Sequence, residues 1–286
     1  MESSSLPEFD STSPDRFNRA MQFALFFTSV AWIVASREVA GRAARGISVA
    51  FDLGGGQFLL GAVFFLFLLG VGFTILQRIS QSGSSWREVS GLPRRPTSRR
   101  EWAVGAAIGW GIVVLAVLPM ALAGTLHVRF WTAPHAFWLA ALNLGAIAVA
   151  GLAEEIAFRG YPYRRLIQAV GPVAATIGMS ALFGLFHLLN PEATWISVLI
   201  TMLAGVLLSI AWLRTHGLWL GWGLHVGWNA SMGVLFGLPV SGITAFSTVV
   251  QTRAIGRTWL TGGEYGPEAA LFTVLVIVAG IAVLVG

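Results

Sequence analysis

The feature that most limits the fold of this chain is a series of long apolar runs separated by short segments that contain arginine. About eight of these runs are long enough, or nearly so, to cross the ~30 Å hydrocarbon core of a bilayer. Backbone polar groups in that core must be paired within the structure, so such runs form helices. We place the spans at residues 20–36, 57–77, 102–124, 137–158, 172–189, 195–213, 218–237 and 268–285. The sequence predicts an all-α fold, a polytopic membrane bundle of about eight transmembrane helices.

Composition supports a membrane protein and excludes several functional classes. The chain is 56% hydrophobic and only 11% charged, whereas about a quarter of the residues in a soluble domain are charged. The absence of cysteine excludes disulfides, thiolate chemistry and cysteine-based metal centres. Every basic residue is an arginine in or near a short loop, so membrane topology explains the net charge of +5. We therefore expect the lipid bilayer as a partner, with no nucleic acid and no organic cofactor.

The distribution of arginine predicts the orientation of the chain in the membrane. Positive residues accumulate on the cytoplasmic side, and loop 78–101 is the richest in arginine. Alternation of the spans then places both termini in the cytoplasm. Arg37, Arg42 and Arg45 do not follow this rule, because alternation of the spans places them on the non-cytoplasmic side. We expect a multi-pass protein of the inner or plasma membrane.

The same patterns divide the chain into four parts. Residues 1–19 begin with an acidic, Ser/Pro-rich stretch and are expected to form a disordered cytoplasmic tail. Residues 20–136 hold the N-terminal transmembrane helices and the Arg-rich loop, and residues 137–237 are the predicted functional core. Residues 238–286 comprise a long polar connection, expected to be partly re-entrant, and the last transmembrane helix.

Two adjacent carboxylates, Glu154 and Glu155, end the fourth apolar run. An ionisable residue at membrane depth costs a few kcal/mol on insertion scales (about 2.5–3.5), so it favours a functional interpretation. On a helix, Glu155 and Arg159 are four residues apart and can pair. Glu154 is rotated by about 100° from that face and is left free. The structural alternative is a charged helix end with both carboxylates in water.

Two histidines interrupt later spans with the same helical spacing. His187 follows Phe183 by four residues, and Asn229 follows His225 by four. A lone histidine in a helical bundle is more often a satisfied core residue than a catalytic one. Here two histidines lie within spans, and one of them shares a helix face with the Asn229 amide. This arrangement favours a polar site inside the membrane.

Helix geometry allows two of these groups to meet. If the helix of Glu154 continues to a turn at Gly171, Glu154 and His187 both lie about 25 Å from that turn, at 1.5 Å per residue. Pro162 is expected to kink this helix near Phe158. The spacing therefore predicts a hairpin that places the carboxylate and the imidazole at one level.

These groups suit the hydrolysis of an amide bond. A carboxylate can act as a general base, and imidazole or amide groups can orient water, bind a metal ion or stabilise an oxyanion. The chain has neither the HExxH nor the GxSxG signature. Two other classes use the same residues: a proton-coupled transporter with a relay of ionisable groups, and a catalytically silent scaffold or immunity protein.

Three motifs together resemble those of a known family. EExxxR at Glu154–Arg159, FxxxH at Phe183–His187 and HxxxN at His225–Asn229 are similar in order and spacing to the motifs of the CPBP family. That family comprises type II CAAX prenyl endopeptidases and bacterial relatives, including bacteriocin-immunity proteins. The resemblance covers about residues 137–237, and the local sequence EEIAFRGYPYRRL is especially similar.

The resemblance implies an all-helical intramembrane protease whose active site opens towards the cytoplasm. By the same resemblance, Glu154 is the general base that activates water, and His187 assists it. His225 and Asn229 hold the oxyanion that develops on the scissile carbonyl group.

The supporting residues and the substrate class also follow from the resemblance. Glu155 and Arg159 form a supporting pair, and Phe183 packs against the site. The sequence identifies no prenyl-binding pocket. The lysine-free composition indicates a bacterial protein, and bacterial cells generally lack prenylated CAAX proteins. The expected substrate is another membrane-associated peptide or protein.

The resemblance leaves open whether a metal ion takes part. Glu154, His187 and His225 are candidate ligands of a divalent metal such as zinc, with one position left for water. Hydrolysis that depends on glutamate alone is the alternative.

Overall fold

The computed structural model describes residues 16–80, 87 and 90–286. The described helices are α1 (Arg16–Phe51), α2 (Gln57–Ile79), α3 (Ser98–Leu122), α4 (Pro134–Arg159), α5 (Tyr161–Val170), α6 (Pro172–His187), α7 (Trp195–Thr215), α8 (Trp219–Ala230), α9 (Thr258–Thr261) and α10 (Leu271–Val285). A two-stranded antiparallel sheet joins β1 (Leu126–Phe130) to β2 (Val250–Ala254). Short 3₁₀ turns complete the described elements, and the last turn of α8 continues as a π-helix over Ser231–Leu235.

The helices confirm the predicted all-α membrane fold. Within the described part of the chain, five helical segments are long and apolar enough to cross a bilayer: Asn18–Phe51, Gln57–Ile79, Ser98–Leu122, Pro134–Val170 and Trp195–Thr215. Two shorter apolar helices, α6 and α10, lie at two further predicted spans. The remaining span, 218–237, corresponds to α8 and its π-helical turn.

The structure departs from the predicted element limits in three places. Helix α1 begins at Arg16, inside the predicted tail, and continues to Phe51, well beyond the predicted end of its span. Residues 1–15 of that tail lie outside the described residues. The connection 238–267 is ordered, and β2 within it pairs with β1. Both strands were missed because each has only five residues and lies between apolar runs.

The helical bundle has two distinct ends. At the first end, which we call the Arg-rich end, Leu218 N–H donates to the carbonyl oxygen of Gly91 at 2.8 Å, and Arg214 Nη1 donates to the carbonyl oxygen of Val285 at 3.1 Å. This end includes the described part of loop 78–101. At the opposite end lie the β1–β2 sheet, the α6–α7 connection and the connection 238–267. We call it the mouth end, for the cavity described below.

A backbone break separates α4 from α5. Gly160 has φ −82° and ψ −125°, which ends α4 one residue after Arg159, and Pro162 lies in the first turn of α5. The predicted kink is therefore present close to Phe158. Gly171, with φ +83°, then turns the chain into α6. The assumption of one continuous helix from Glu154 to Gly171 is wrong.

Helices α3 and α8 pack with their backbones in close contact. Gly105 and Gly109 of α3 lie against the carbonyl oxygens of Leu220 and Leu224 on α8. Gly223 and Gly227 of α8 lie in turn against the carbonyl oxygens of Trp102 and Ala106 on α3. Small residues allow this approach between membrane helices, where packing rather than the hydrophobic effect drives association. These four glycines therefore make the close approach of α3 and α8 possible.

Replacement of Gly109 with alanine tests this packing. The new methyl group would overlap with the carbonyl oxygen of Leu224, so α3 and α8 must separate. We expect a loss of about 1–3 kcal/mol in the free energy of unfolding, measured in detergent micelles. The matched control is Gly111→Ala on the same helix, where a methyl group meets nothing within 4 Å. Equal stability of the two variants would contradict close α3–α8 packing.

Candidate active site

A cavity of about 820 Å³ lies between helices of the bundle. Its wall is mainly apolar, as is usual for sites that bind organic ligands, and it includes residues of α1, α2, α4, α6, α7 and α8. The polar residues on its wall include Glu154, His187, Asn190, His225, Asn229, Ser241 and Glu268. All four predicted catalytic residues are among them, although no two of the three motifs are adjacent in the chain.

The Glu155–Arg159 pair is fully buried next to this cavity. Arg159 Nη1 lies 3.3 Å from Glu155 Oε1, and the exposed fraction of both side chains is 0%. Arg159 Nη2 donates a hydrogen bond to the carbonyl oxygen of Gly205 on α7 at 3.1 Å. The guanidinium carbon also lies 4.3 Å from the centroid of the Phe183 ring, a cation–π contact. The pair therefore joins α4 to α6 and α7.

His225 lies between the two adjacent glutamates. Its Nδ1 is 2.9 Å from Glu155 Oε1, and its Nε2 is 3.6 Å from Glu154 Oε2. Because an ionised carboxylate only accepts hydrogen bonds, the hydrogen bond to Glu155 assigns a proton to Nδ1. Glu155 therefore has a role beyond its pairing with Arg159, because it also fixes the orientation of the His225 ring.

Glu154 differs from its neighbour in exposure. Its side chain is 35% exposed and lies on the cavity wall, whereas Glu155 is completely buried. The rotation of about 100° between successive helical residues produces this difference. Of the two carboxylates, Glu154 is the one available to a water molecule or a substrate.

His187 and Asn229 complete the group of predicted catalytic residues. His187 Nδ1 lies 2.8 Å from the carbonyl oxygen of Phe183, which assigns the Nδ1 proton to this hydrogen bond. In the neutral ring, Nε2 then carries no proton and can accept a hydrogen bond. Asn229 lies one helical turn after His225 on the cavity side of α8. Glu154 and His187 both line the cavity. Their common level was predicted from one continuous helix, which the break at Gly160 interrupts.

The predicted metal ligands do not form a cluster. Among residues 16–80, 87 and 90–286, no three His, Asp or Glu side chains are grouped so that they could hold one metal ion. The contact of His225 Nδ1 with Glu155 leaves Nε2 of the same ring facing Glu154 Oε2 at 3.6 Å. Because Glu154, His187 and His225 are not grouped around one point in the described structure, the mechanism proposed below contains no metal step.

Sequence reasoning missed one carboxylate of the cavity, that of Glu268. It lies in the turn before α10 and accepts hydrogen bonds from Trp228 Nε1 at 2.9 Å and from Ser241 Oγ at 2.7 Å. It also interacts electrostatically with His187. Burial, together with the Glu268 carboxylate, raises the pKa of nearby Tyr265 to about 12. Glu268 is the first residue of the predicted span 268–285, so the available signal was an acidic residue at the start of an apolar run.

The cavity opens at the mouth end. Gln57 at the start of α2, Asn190 after α6, and Ser241 and Glu268 beside the connection 238–267 all line it. The described residues of loop 78–101 lie at the opposite end of the bundle. The expectation of a cytoplasmic loop 78–101 and that of a site open to the cytoplasm therefore assign the mouth end to opposite sides of the membrane.

Comparison with known proteins agrees with this site. The bundle defines the chain as a multi-pass membrane protein with a polar cavity between its helices. Residues 134–231 match the family model of the type II CAAX prenyl endopeptidase Rce1-like proteins. This segment, about a third of the chain, contains all three motifs, and the match supports the predicted CAAX-protease-like family. Searches of curated proteins and of solved structures find no match.

Two glutamate–arginine pairs with the same helical spacing provide a test of the buried charges. Replacement of Arg159 with leucine leaves Glu155 without its cationic partner in an apolar bundle, so we expect the free energy of unfolding to fall by about 3–5 kcal/mol. The control is Arg42→Leu, since Arg42 and Glu38 lie 3.4 Å apart with side chains 82% and 64% exposed. Surface pairs contribute little. Similar unfolding midpoints for the two variants would show that the buried pair does not stabilise the bundle.

Proposed function

We propose that this protein is an intramembrane endopeptidase that hydrolyses a peptide bond of a membrane-associated peptide or protein. The observation that carries the proposal is the convergence of Glu154, His187, His225 and Asn229 on one apolar-walled cavity. The family match over residues 134–231, which contain these four residues, also supports proteolysis. An apolar wall suits a peptide segment that reaches the site from the lipid phase.

In the proposed reaction, the Glu154 carboxylate accepts a proton from a water molecule, and the water oxygen attacks the scissile carbonyl carbon. His187 assists by hydrogen bonding this water through Nε2. The C–N bond then breaks as the proton held by Glu154 passes to the leaving nitrogen. The products are a new amine and a new carboxylic acid, so protons and bonds balance.

The oxyanion of the tetrahedral intermediate needs hydrogen-bond donors directed at its oxygen. The Asn229 side-chain amide supplies N–H groups, and His225 Nε2 supplies another when the ring is protonated on both nitrogens. Glu155, at 2.9 Å from Nδ1, and Glu154, at 3.6 Å from Nε2, stabilise this cationic ring. Loss of one such donor typically reduces kcat by about 10²–10³.

Replacement of Glu154 with glutamine tests the proposed general base. Glutamine keeps the size of the side chain but cannot take up the proton from water, so we expect no detectable cleavage of membrane-delivered peptides in proteoliposomes. Glu192→Gln, an exposed glutamate after α6, is the matched control and should retain full activity. Cleavage by Glu154→Gln at the wild-type rate would refute the assignment. A folded wild type that cleaves none of the peptides would favour the silent scaffold.

The same assay with a chelator tests the involvement of a metal ion. The proposed mechanism uses protein groups alone, so we expect cleavage to persist after chelation. Loss of activity on chelation, restored by zinc, would assign a metal-dependent reaction to Glu154, His187 and His225 instead.

The side of the membrane on which the mouth opens can be tested directly because the chain contains no cysteine. Most arginines lie at the Arg-rich end, and this bias favours a cytoplasmic location for that end, with the mouth on the other side. In intact cells, a membrane-impermeant maleimide should then label Thr132→Cys, after β1, and spare Thr97→Cys, before α3. Both positions are exposed. The reverse pattern would place the mouth in the cytoplasm, as the family resemblance implies.

A further inference from the structure

The Glu268 carboxylate connects two parts of the cavity wall. One oxygen accepts the hydrogen bond from Trp228 Nε1 on α8 at 2.9 Å. The other accepts the hydroxyl of Ser241 at 2.7 Å and also contacts the Ser241 backbone N–H. These bonds join residues that are far apart in the chain. We call residues 238–246, which include Ser241, the mouth segment.

The mouth segment has a backbone conformation that needs support. Ser241 has φ +48° and Gly242 has φ +81°. The left-handed conformation is unfavourable for a non-glycine residue and persists where the surroundings hold it. Glu268 accepts both donors of Ser241, and Gly242 N–H donates to the carbonyl oxygen of Tyr265 at 2.9 Å. Residues 265–268 therefore hold the turn together with the two backbone hydrogen bonds between Val240 and Ile243, at 3.0 and 2.8 Å.

Trp228 links the same carboxylate to the proposed catalytic helix. It lies on α8 between His225 and Asn229, and only 6% of its surface is exposed. A buried indole N–H needs an acceptor, and Glu268 provides it. Glu268 is thus in direct contact with the helix that carries the proposed oxyanion donors.

The occupancy of Glu268 argues against direct contact with the substrate. A carboxylate has about four acceptor positions, and three are used by Trp228 and Ser241. We propose that Glu268 is a positioning residue: it joins the mouth segment to α8 and so fixes the face of α8 that carries His225 and Asn229. The predicted effect on catalysis rests on the endopeptidase function proposed above.

Steady-state kinetics of Glu268→Gln and Trp228→Phe in the full-length protein test this inference. A glutamine has only one accepting group and cannot serve both partners, while phenylalanine keeps the ring and removes the N–H. With a peptide that the wild type cleaves, we expect kcat to fall about tenfold in each variant, with KM within about twofold. Because both changes break one connection, the double variant should be no slower than the slower single variant.

The matched control is Glu264→Gln, an exposed glutamate in the same connection, which should leave both constants unchanged. Wild-type kcat in Glu268→Gln would overturn the inference. It would also be overturned by additive effects in the double variant, or by activity losses that follow the melting temperature across all variants.

A second measurement does not depend on cleavage. A single cysteine at Ala150, on the cavity wall, reports access through the mouth by its rate of reaction with a small maleimide. Loosening of the mouth segment in Glu268→Gln should raise this rate several-fold, and Glu264→Gln should not change it. An unchanged rate in Glu268→Gln would overturn the inference. Absence of peptide cleavage by the wild type, with the labelling difference present, would reject only the proposed function.

Discussion

The buried contact between Glu155, Arg159 and His225 is the interaction on which the rest of the structure depends. Charges removed from water inside an apolar bundle are costly unless they are paired and hydrogen-bonded. Glu155 and Arg159 are completely buried, and they find their further partners on other helices: His225 on α8 at 2.9 Å and the Gly205 carbonyl on α7 at 3.1 Å. Helices α4, α7 and α8 must therefore meet at this level. That meeting also places Glu154 beside the cavity.

The two adjacent glutamates have different roles: one supports the structure and the other is accessible to solvent. Glu155 holds Arg159 and orients the His225 ring, and Glu154 remains 35% exposed on the cavity wall. A single rotation along the helix is sufficient for this division, because neighbouring residues point about 100° apart. The same carboxylate that stabilises the bundle thus selects the ring orientation needed for the proposed chemistry. A change at Glu155 is therefore expected to affect both the stability of the bundle and the proposed function, whereas a change at Glu154 is expected to affect the proposed function alone.

Residues on both sides of the segment that matches the family make contacts that hold it in place. Residues 134–231 contain the three motifs, but α8 packs against the glycines of α3, which precedes that segment. At its other end, Trp228 donates to Glu268, which follows it. Both contacts act on the helix that carries His225 and Asn229. The flanking parts of the chain therefore contribute to the geometry of the candidate site, and not only to anchoring it in the membrane.

Hydropathy and helical spacing were sufficient to predict the membrane bundle, the positions of its apolar helices and the Glu155–Arg159 pair, and the resemblance of the three motifs to a known family added the grouping of Glu154, His187, His225 and Asn229 in one site. These properties depend on neighbours along the chain: the length of an apolar run and a separation of four residues. The extension of α1 to Phe51, the β1–β2 pairing, the recruitment of Glu268 and the opening of the cavity at the end opposite loop 78–101 were decided by the tertiary structure. Each depends on contacts or placements that local pattern does not encode. Trp228 and Ser241, for example, reach Glu268 only because the connection 238–267 folds back over the end of the bundle.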